Sequence, residues 1–163
     1  MALAITLEGR VAAITGASSG MGEAVARRLA ARGAKVGLIA RRADKLNSIA
    51  TEINDAGGTV IALAADVTDV DALGEAAGEI QRVLGTTNIV FNNAGIMLPT
   101  PMQDRNTRNW DAQIDINVSG VTNTLAAFVG QLLAAATEGS PADLINMSSI
   151  SARQVAPRLS RSS

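Results

Sequence analysis

The stretch Thr15–Gly22, TGASSGMG, joins a short apolar run to an amphipathic one, and its glycines stand as G-x-x-x-G-x-G. That spacing suits a phosphate cradle. Gly16 permits a tight exit from a strand, and Gly20 lets backbone approach a pyrophosphate with no Cβ in the way. Gly22 lets a helix pack closely on a sheet. A helix that starts here presents free N–H groups and the positive end of its dipole to an anion. Ser18 and Ser19 add hydroxyls, and Met21 completes the turn. The plainer reading is a glycine turn with no ligand.

Further marks follow in order. Arg41 and Arg42 stand where a dinucleotide binder that prefers NAD(H) carries a carboxylate for the ribose 2′-hydroxyl. Guanidinium groups suit a 2′-phosphate instead, so the expected cofactor is NADP(H), with NAD(H) possible. The alternative is that both arginines are solvated residues at a helix start. Asp66-Val67 follows the third apolar run, and its carboxylate could accept from an adenine amino group or simply begin a helix. Asn92-Asn93-Ala94-Gly95 follows the fourth run, where Asn side chains can tie loops together and Ala-Gly leaves room for a ribose. Asn117 interrupts a helical apolar stripe, so it is expected to face the sheet as a hydrogen-bonded buried amide. Ser148 and Ser149 end the fifth run. A serine hydroxyl needs a partner to move protons, and this sequence contains no histidine, cysteine or tyrosine.

The elements that must position these residues alternate. Strands are expected at Val11–Thr15, Lys35–Ala40, Val60–Ala64, Asn88–Phe91 and Ala142–Met147. Helices are expected between them. The first carries a stripe of Met21, Val25 and Leu29 and closes at Gly33. The second is Ala43–Ala56. The third is capped by Thr68 and Asp71 and runs to about Leu84. The fourth runs from about Asn109 to Ala135, with Trp110, Ile114, Val121, Leu125, Phe128 and Leu132 as its stripe. This pattern predicts an α/β fold, a doubly wound, Rossmann-like parallel sheet of about five strands.

A chain of 163 residues, 47% hydrophobic and 18% charged, supports one globular domain. Fourteen basic against fifteen acidic residues leave a net charge of −1, which argues against nucleic acid as a partner and against anionic membrane. Without cysteine or histidine, neither a disulfide framework nor a metal site is expected. No apolar run looks long enough to span a bilayer, and MALAITLEGR lacks the features of a signal peptide. The expected location is cytoplasmic.

Taken together, the TGxxxGxG turn, Asp66-Val67, the Asn92–Gly95 NNAG, Asn117 and the serine after the fifth strand resemble the short-chain dehydrogenase/reductase family, from Leu7 to about Pro157. The resemblance implies a nicotinamide-dependent oxidoreductase acting on a small alcohol or carbonyl. It implies that Gly16, Gly20 and Gly22 hold the pyrophosphate, that Asp66 contacts adenine, and that Asn93 and Ala94 line the nicotinamide-ribose side. Asn117 would hold a water in a proton relay. Ser149, with Ser148 as runner-up, would polarise the substrate carbonyl. The family also uses a tyrosine and a lysine in a Y-x-x-x-K motif. Here there is no tyrosine, and the lysines are Lys35 and Lys45. The expectation is an incomplete domain over 1–157 with an atypical tail over 158–163, from a truncated or frame-shifted reductase. Full-length relatives are expected to form homo-oligomers, and this chain is expected to associate through uncovered apolar surface. A catalytically dead dinucleotide-binding fragment is the alternative function.

Overall fold

A computed structural model describes residues 6–149. The expected tail over 158–163 therefore lies outside the described residues. Five strands form one parallel sheet: β1 (Val11–Thr15), β2 (Lys35–Ala40), β3 (Thr59–Ala64), β4 (Ile89–Asn92) and β5 (Asp143–Asn146), in the spatial order β3-β2-β1-β4-β5. The order reverses direction between β1 and β4, which opens a crevice at the carboxyl ends of those strands. Ala12 pairs with Val36 on one side and Ile89 on the other, so β1 is the centre of the sheet.

Side chains alternate across the sheet, and each face has its own core. On one face, Ala12, Ile14, Val36, Leu38, Ile89 and Phe91 pack against α1 (Gly20–Ala30) and α2 (Ala43–Asp55). On the other, Val11, Ala13, Ile39 and Val90 pack against α3 (Val70–Leu84) and α5 (Gly120–Thr137). With aromatics at 2% of the sequence, these layers are aliphatic apart from Phe91 and Phe128, and small residues set the spacing. That displaces the expected stripe of α1. Met21 is exposed, Val25 and Leu29 are half-buried, and the buried line is Gly22, Ala26 and Ala30. The helix sits close to the sheet on its small side chains, with the larger ones flanking the contact.

Gly33, at φ +91°, ends α1 as expected: its N–H donates to the Ala30 carbonyl, and the Ala34 N–H reaches back to Leu29. The start of α3 differs from expectation. Asp69, not Thr68, is the cap, its carboxylate accepting from the Ala72 N–H at 3.0 Å. Thr68 is engaged elsewhere, donating its N–H and hydroxyl to Asp66.

The expected long helix is three pieces: α4 (Thr107–Ile114), a π turn (Asp115–Ser119) and α5. A π turn holds an extra residue, which rotates everything after it. Trp110 and Phe128 are five ideal turns apart and would share a face in an unbroken α-helix. Here Phe128 is fully buried while Trp110 and Ile114 are exposed, and no residue of α4 is buried. By length and composition the stretch Thr107–Thr137 is in fact apolar enough to cross a membrane, contrary to the reading of the sequence. Within this fold its α5 part packs on the core. Phe128 and Leu132 enter the core, and Asn123 and Gln131 donate to the carbonyls of Val67 and Ala77 at 3.0 Å.

Candidate dinucleotide site

Thr15 ends β1 with its side chain buried, and its hydroxyl oxygen accepts from the N–H groups of Asn93 and Ala94, each at 3.1 Å. Asn93 answers by donating its side-chain amide to the carbonyls of Thr15 (3.2 Å) and Gly16 (3.3 Å). The first turn and the loop after β4 are thus one bonded unit. Gly16 has φ +65°, and a Cβ there would lie 2.9 Å from the Cα of Ala94. A Cβ on Gly22 would run into the Gly16 carbonyl oxygen and the Asn93 amide. Gly22 therefore serves the contact between turn and loop more than contact between helix and sheet.

Gly20 is the first residue of α1, and Ser19 precedes it in extended conformation without a side-chain cap bond. The opening N–H groups of the helix are left for another acceptor. Arg42 reaches across to this turn. Its guanidinium donates to the hydroxyls of Ser18 (3.0 Å) and Ser19 (2.9 Å). β2 ends in Ala40, and Arg41 lies 3.8 Å from Asp66, whose other carboxylate oxygen already accepts twice from Thr68.

A cavity of about 370 Å³ collects these groups. Gly16, Ser18, Ser19, Met21, Arg41, Arg42, Asp66, Val67, Asn93, Ala94 and Gly95 line it, together with Ala40, Ala65, Ile96 and Ile116. A larger, open groove of about 620 Å³ lies at the amino ends of the strands, around Arg27, Arg32 and Glu52. The smaller cavity is the better candidate because ligands of open parallel sheets bind at the carboxyl ends, at the switch point.

Asn117 does not face the sheet. It is exposed on the π turn, and its amide bonds both backbone groups of Ile96, each at 2.8 Å. The buried amide expected there is replaced by a loop clamp beside Gly95, because the π turn swings the residue off the packing face. Ser148 and Ser149 follow β5 and are exposed; neither lines the cavity. Behind them, the Asn92 amide donates to Asn146 at 2.8 Å across β4 and β5.

Thr15 and Ile116 were not singled out as site residues in the sequence. Thr15 was visible as the first letter of the glycine turn, but its hydroxyl gains a role only when β4 lies alongside. Ile116 reaches the cavity only through the π turn, and no sequence signal marked it.

Known proteins resemble this chain in sequence and in fold. The short chain dehydrogenase family matches residues 10–161. The chain is 38% identical to an uncharacterized oxidoreductase of Staphylococcus aureus over 149 residues, 91% of this chain and 62% of that protein. It is 39% identical over 156 residues to glycine betaine reductase of Emericella nidulans, covering 94% of this chain and 12% of that one. Among solved structures it superposes on a metagenomic short-chain oxidoreductase in complex with NADP (TM-score 0.79, 36% identity, 88% of this chain and 63% of that one). A short-chain dehydrogenase/reductase from Mycobacterium marinum gives a TM-score of 0.86 at 32% identity, covering 93% of this chain and 60% of that one. The chain thus spans about three-fifths of the length of the Staphylococcus aureus relative and of these two solved structures.

Proposed function

Because the chain belongs to the short chain dehydrogenase family, we infer that its cavity holds a nicotinamide dinucleotide, preferably NADP(H), in an oxidoreductase acting on an alcohol or carbonyl. The observation that carries the cofactor reading is Arg42 laid over Ser18 and Ser19 beside a β2 that ends without a carboxylate. A guanidinium with two hydroxyls makes a compact donor set for a 2′-phosphate. The rest of the cradle fits a pyrophosphate. Glycines stand where a Cβ would strike backbone, and the α1 N-terminus is uncapped. Asp66 retains acceptor capacity toward adenine, and Asn93, Ala94 and Gly95 border the other half of the ligand. The bound cofactor would supply the hydride. The chain's own residues bind and orient it, and Ser149 with Asn117 belongs to substrate polarisation and proton relay. A cytoplasmic setting and a homo-oligomeric full-length form accompany this reading.

Titration calorimetry with NADPH and NADH tests it. NADPH is expected to bind at least about tenfold more tightly, a difference of about 1.4 kcal/mol. A preference for NADH overturns the NADP(H) assignment, and no binding of either at millimolar concentration overturns the dinucleotide reading itself.

A second reading rests on the absence of tyrosine from the sequence. A positioned general acid contributes about 10²–10⁴-fold to rate. The chain then binds cofactor and turns over little or nothing. Loss of reduced-nicotinamide absorbance against a panel of carbonyls separates the two, since sustained turnover sinks the second reading.

A further inference from the structure

After β4 the chain runs from residue 93 to residue 101 with no strand or helix of its own. Its backbone polar groups still need partners. Two side chains of the following helix supply them, and a third reaches the loop through a hydroxyl. Asn117 takes both backbone groups of Ile96 at 2.8 Å. One turn earlier, Gln113 repeats the move on Leu98. Its Oε1 accepts from the Leu98 N–H at 3.1 Å, and its Nε2 lies 3.5 Å from the Leu98 carbonyl. Another turn earlier, the Asn109 amide donates to the Thr100 hydroxyl at 3.2 Å, and that hydroxyl donates to the Leu98 carbonyl at 3.1 Å. The rungs also brace each other, since Gln113 Nε2 donates to the Asn109 carbonyl at 3.0 Å.

The spacing is matched. The helix offers every fourth residue and the loop takes every second. Four helical residues rise about 6 Å and two extended residues about 6.6 Å, so the rungs stay in step. Asn and Gln amides carry a donor and an acceptor side by side, as a peptide edge does. At Ile96 and Leu98 the helix face therefore offers the loop what a neighbouring strand would.

We propose that Asn109, Gln113 and Asn117 form an amide ladder that fixes the loop Ile96–Thr100, whose Ile96 end joins Gly95 in bordering the cavity, and that Gln113 is a positioning residue for the nicotinamide half of the cofactor. The positioning role rests on the dinucleotide reading above; the ladder itself does not. Gly95 and Ile96 border the cavity, and a Cβ on Gly95 would lie 3.2 Å from the Asn117 amide oxygen, so the wall has little slack.

Two measurements on the full chain test this. Amide hydrogen exchange at Leu98 is expected to rise about tenfold in Gln113→Leu, which keeps bulk but loses both polar atoms. Gln113→Glu keeps the acceptor and retains the protection. Binding is then compared for NADPH and for adenosine 2′,5′-bisphosphate, which lacks the nicotinamide half. Gln113→Leu weakens NADPH about tenfold and leaves the bisphosphate unchanged, and Gln113→Glu restores NADPH. Equal loss on both ligands, or no loss on NADPH, overturns the positioning role. Unchanged exchange at Leu98 overturns the ladder. If the unmodified chain binds neither ligand, the dinucleotide reading falls and the positioning role with it, while exchange at Leu98 still decides the ladder.

Discussion

In the proposed reading, cofactor choice turns on Arg42. It is exposed, and its guanidinium is already held over Ser18 and Ser19. Arg42→Ala should weaken NADPH about tenfold and leave NADH within about twofold, read by calorimetry, since only the phosphate loses its partner. Gly22 is the residue on which the cradle turns. Gly22→Ala pushes a methyl into the Gly16 carbonyl and the Asn93 amide, so the turn and loop must separate. A loss of about 1–3 kcal/mol in denaturant unfolding, with loss of dinucleotide binding, is the expected result. The glycine spacing and the missing carboxylate could be read from the sequence, because both are local facts. Thr15 was less legible. A threonine at a strand end is ordinary until Asn93, 78 residues on, brings its N–H to that hydroxyl.

Elements show the same division between local and distant causes. Strand positions and helix order could be read from alternation and spacing. The α3 cap could not be placed to the residue, because Thr68, Asp69 and Asp71 are all capping types. Asp66 settles the matter by engaging Thr68, which leaves Asp69 for the helix. Asp69→Ala should cost about 1 kcal/mol in chemical denaturation. Within α3, Gly74 and Gly78 have open space where a Cβ would go. Gly78→Ala should therefore stabilise the fold by about 0.5–1 kcal/mol, seen as a higher denaturation midpoint, the opposite sign to Gly22→Ala. Arg27 ties α1 to α2 through Glu52 at 2.7 Å. The guanidinium, with Ser48, holds the Glu52 carboxyl below its ordinary range. A lowered carboxyl contributes stability above its unfolded value and loses it on acidification. The melting-temperature gap between the unmodified chain and Glu52→Gln should thus be present at neutral pH and close as pH falls below the carboxylate range. The π turn had no sequence signature at all. Only the packing of Gly120, Thr124, Phe128 and Leu132 against the sheet reveals where the helix phase changes.

For the molecule as a whole, one flank is open among the described residues. Ile114, Val118, Val129 and Leu133 are exposed along the helix, and β5 bonds only to β4, with Leu144 and Ile145 also exposed. Apolar surface and a free strand edge favour association. Sedimentation at rising concentration should show species larger than a monomer, and Leu133→Lys should reduce them. The sequence announced this flank through the excess of apolar residues on the long helix, but not its extent, which depends on what packs there. The bonds that join Thr15 to Asn93, and Arg10 to Asp143 across 133 residues, carry a kinetic consequence. Every wall of the cradle is made early in the chain except the one that locks it. Contacts of such long range close late, because loop closure must precede them. A ribosome that has released only β1 to β3 therefore displays a glycine turn tied to β2 through Arg42 and the Ile39 carbonyl but without the Asn93 clamp, and the proposed dinucleotide site is complete only once β4 has emerged and docked.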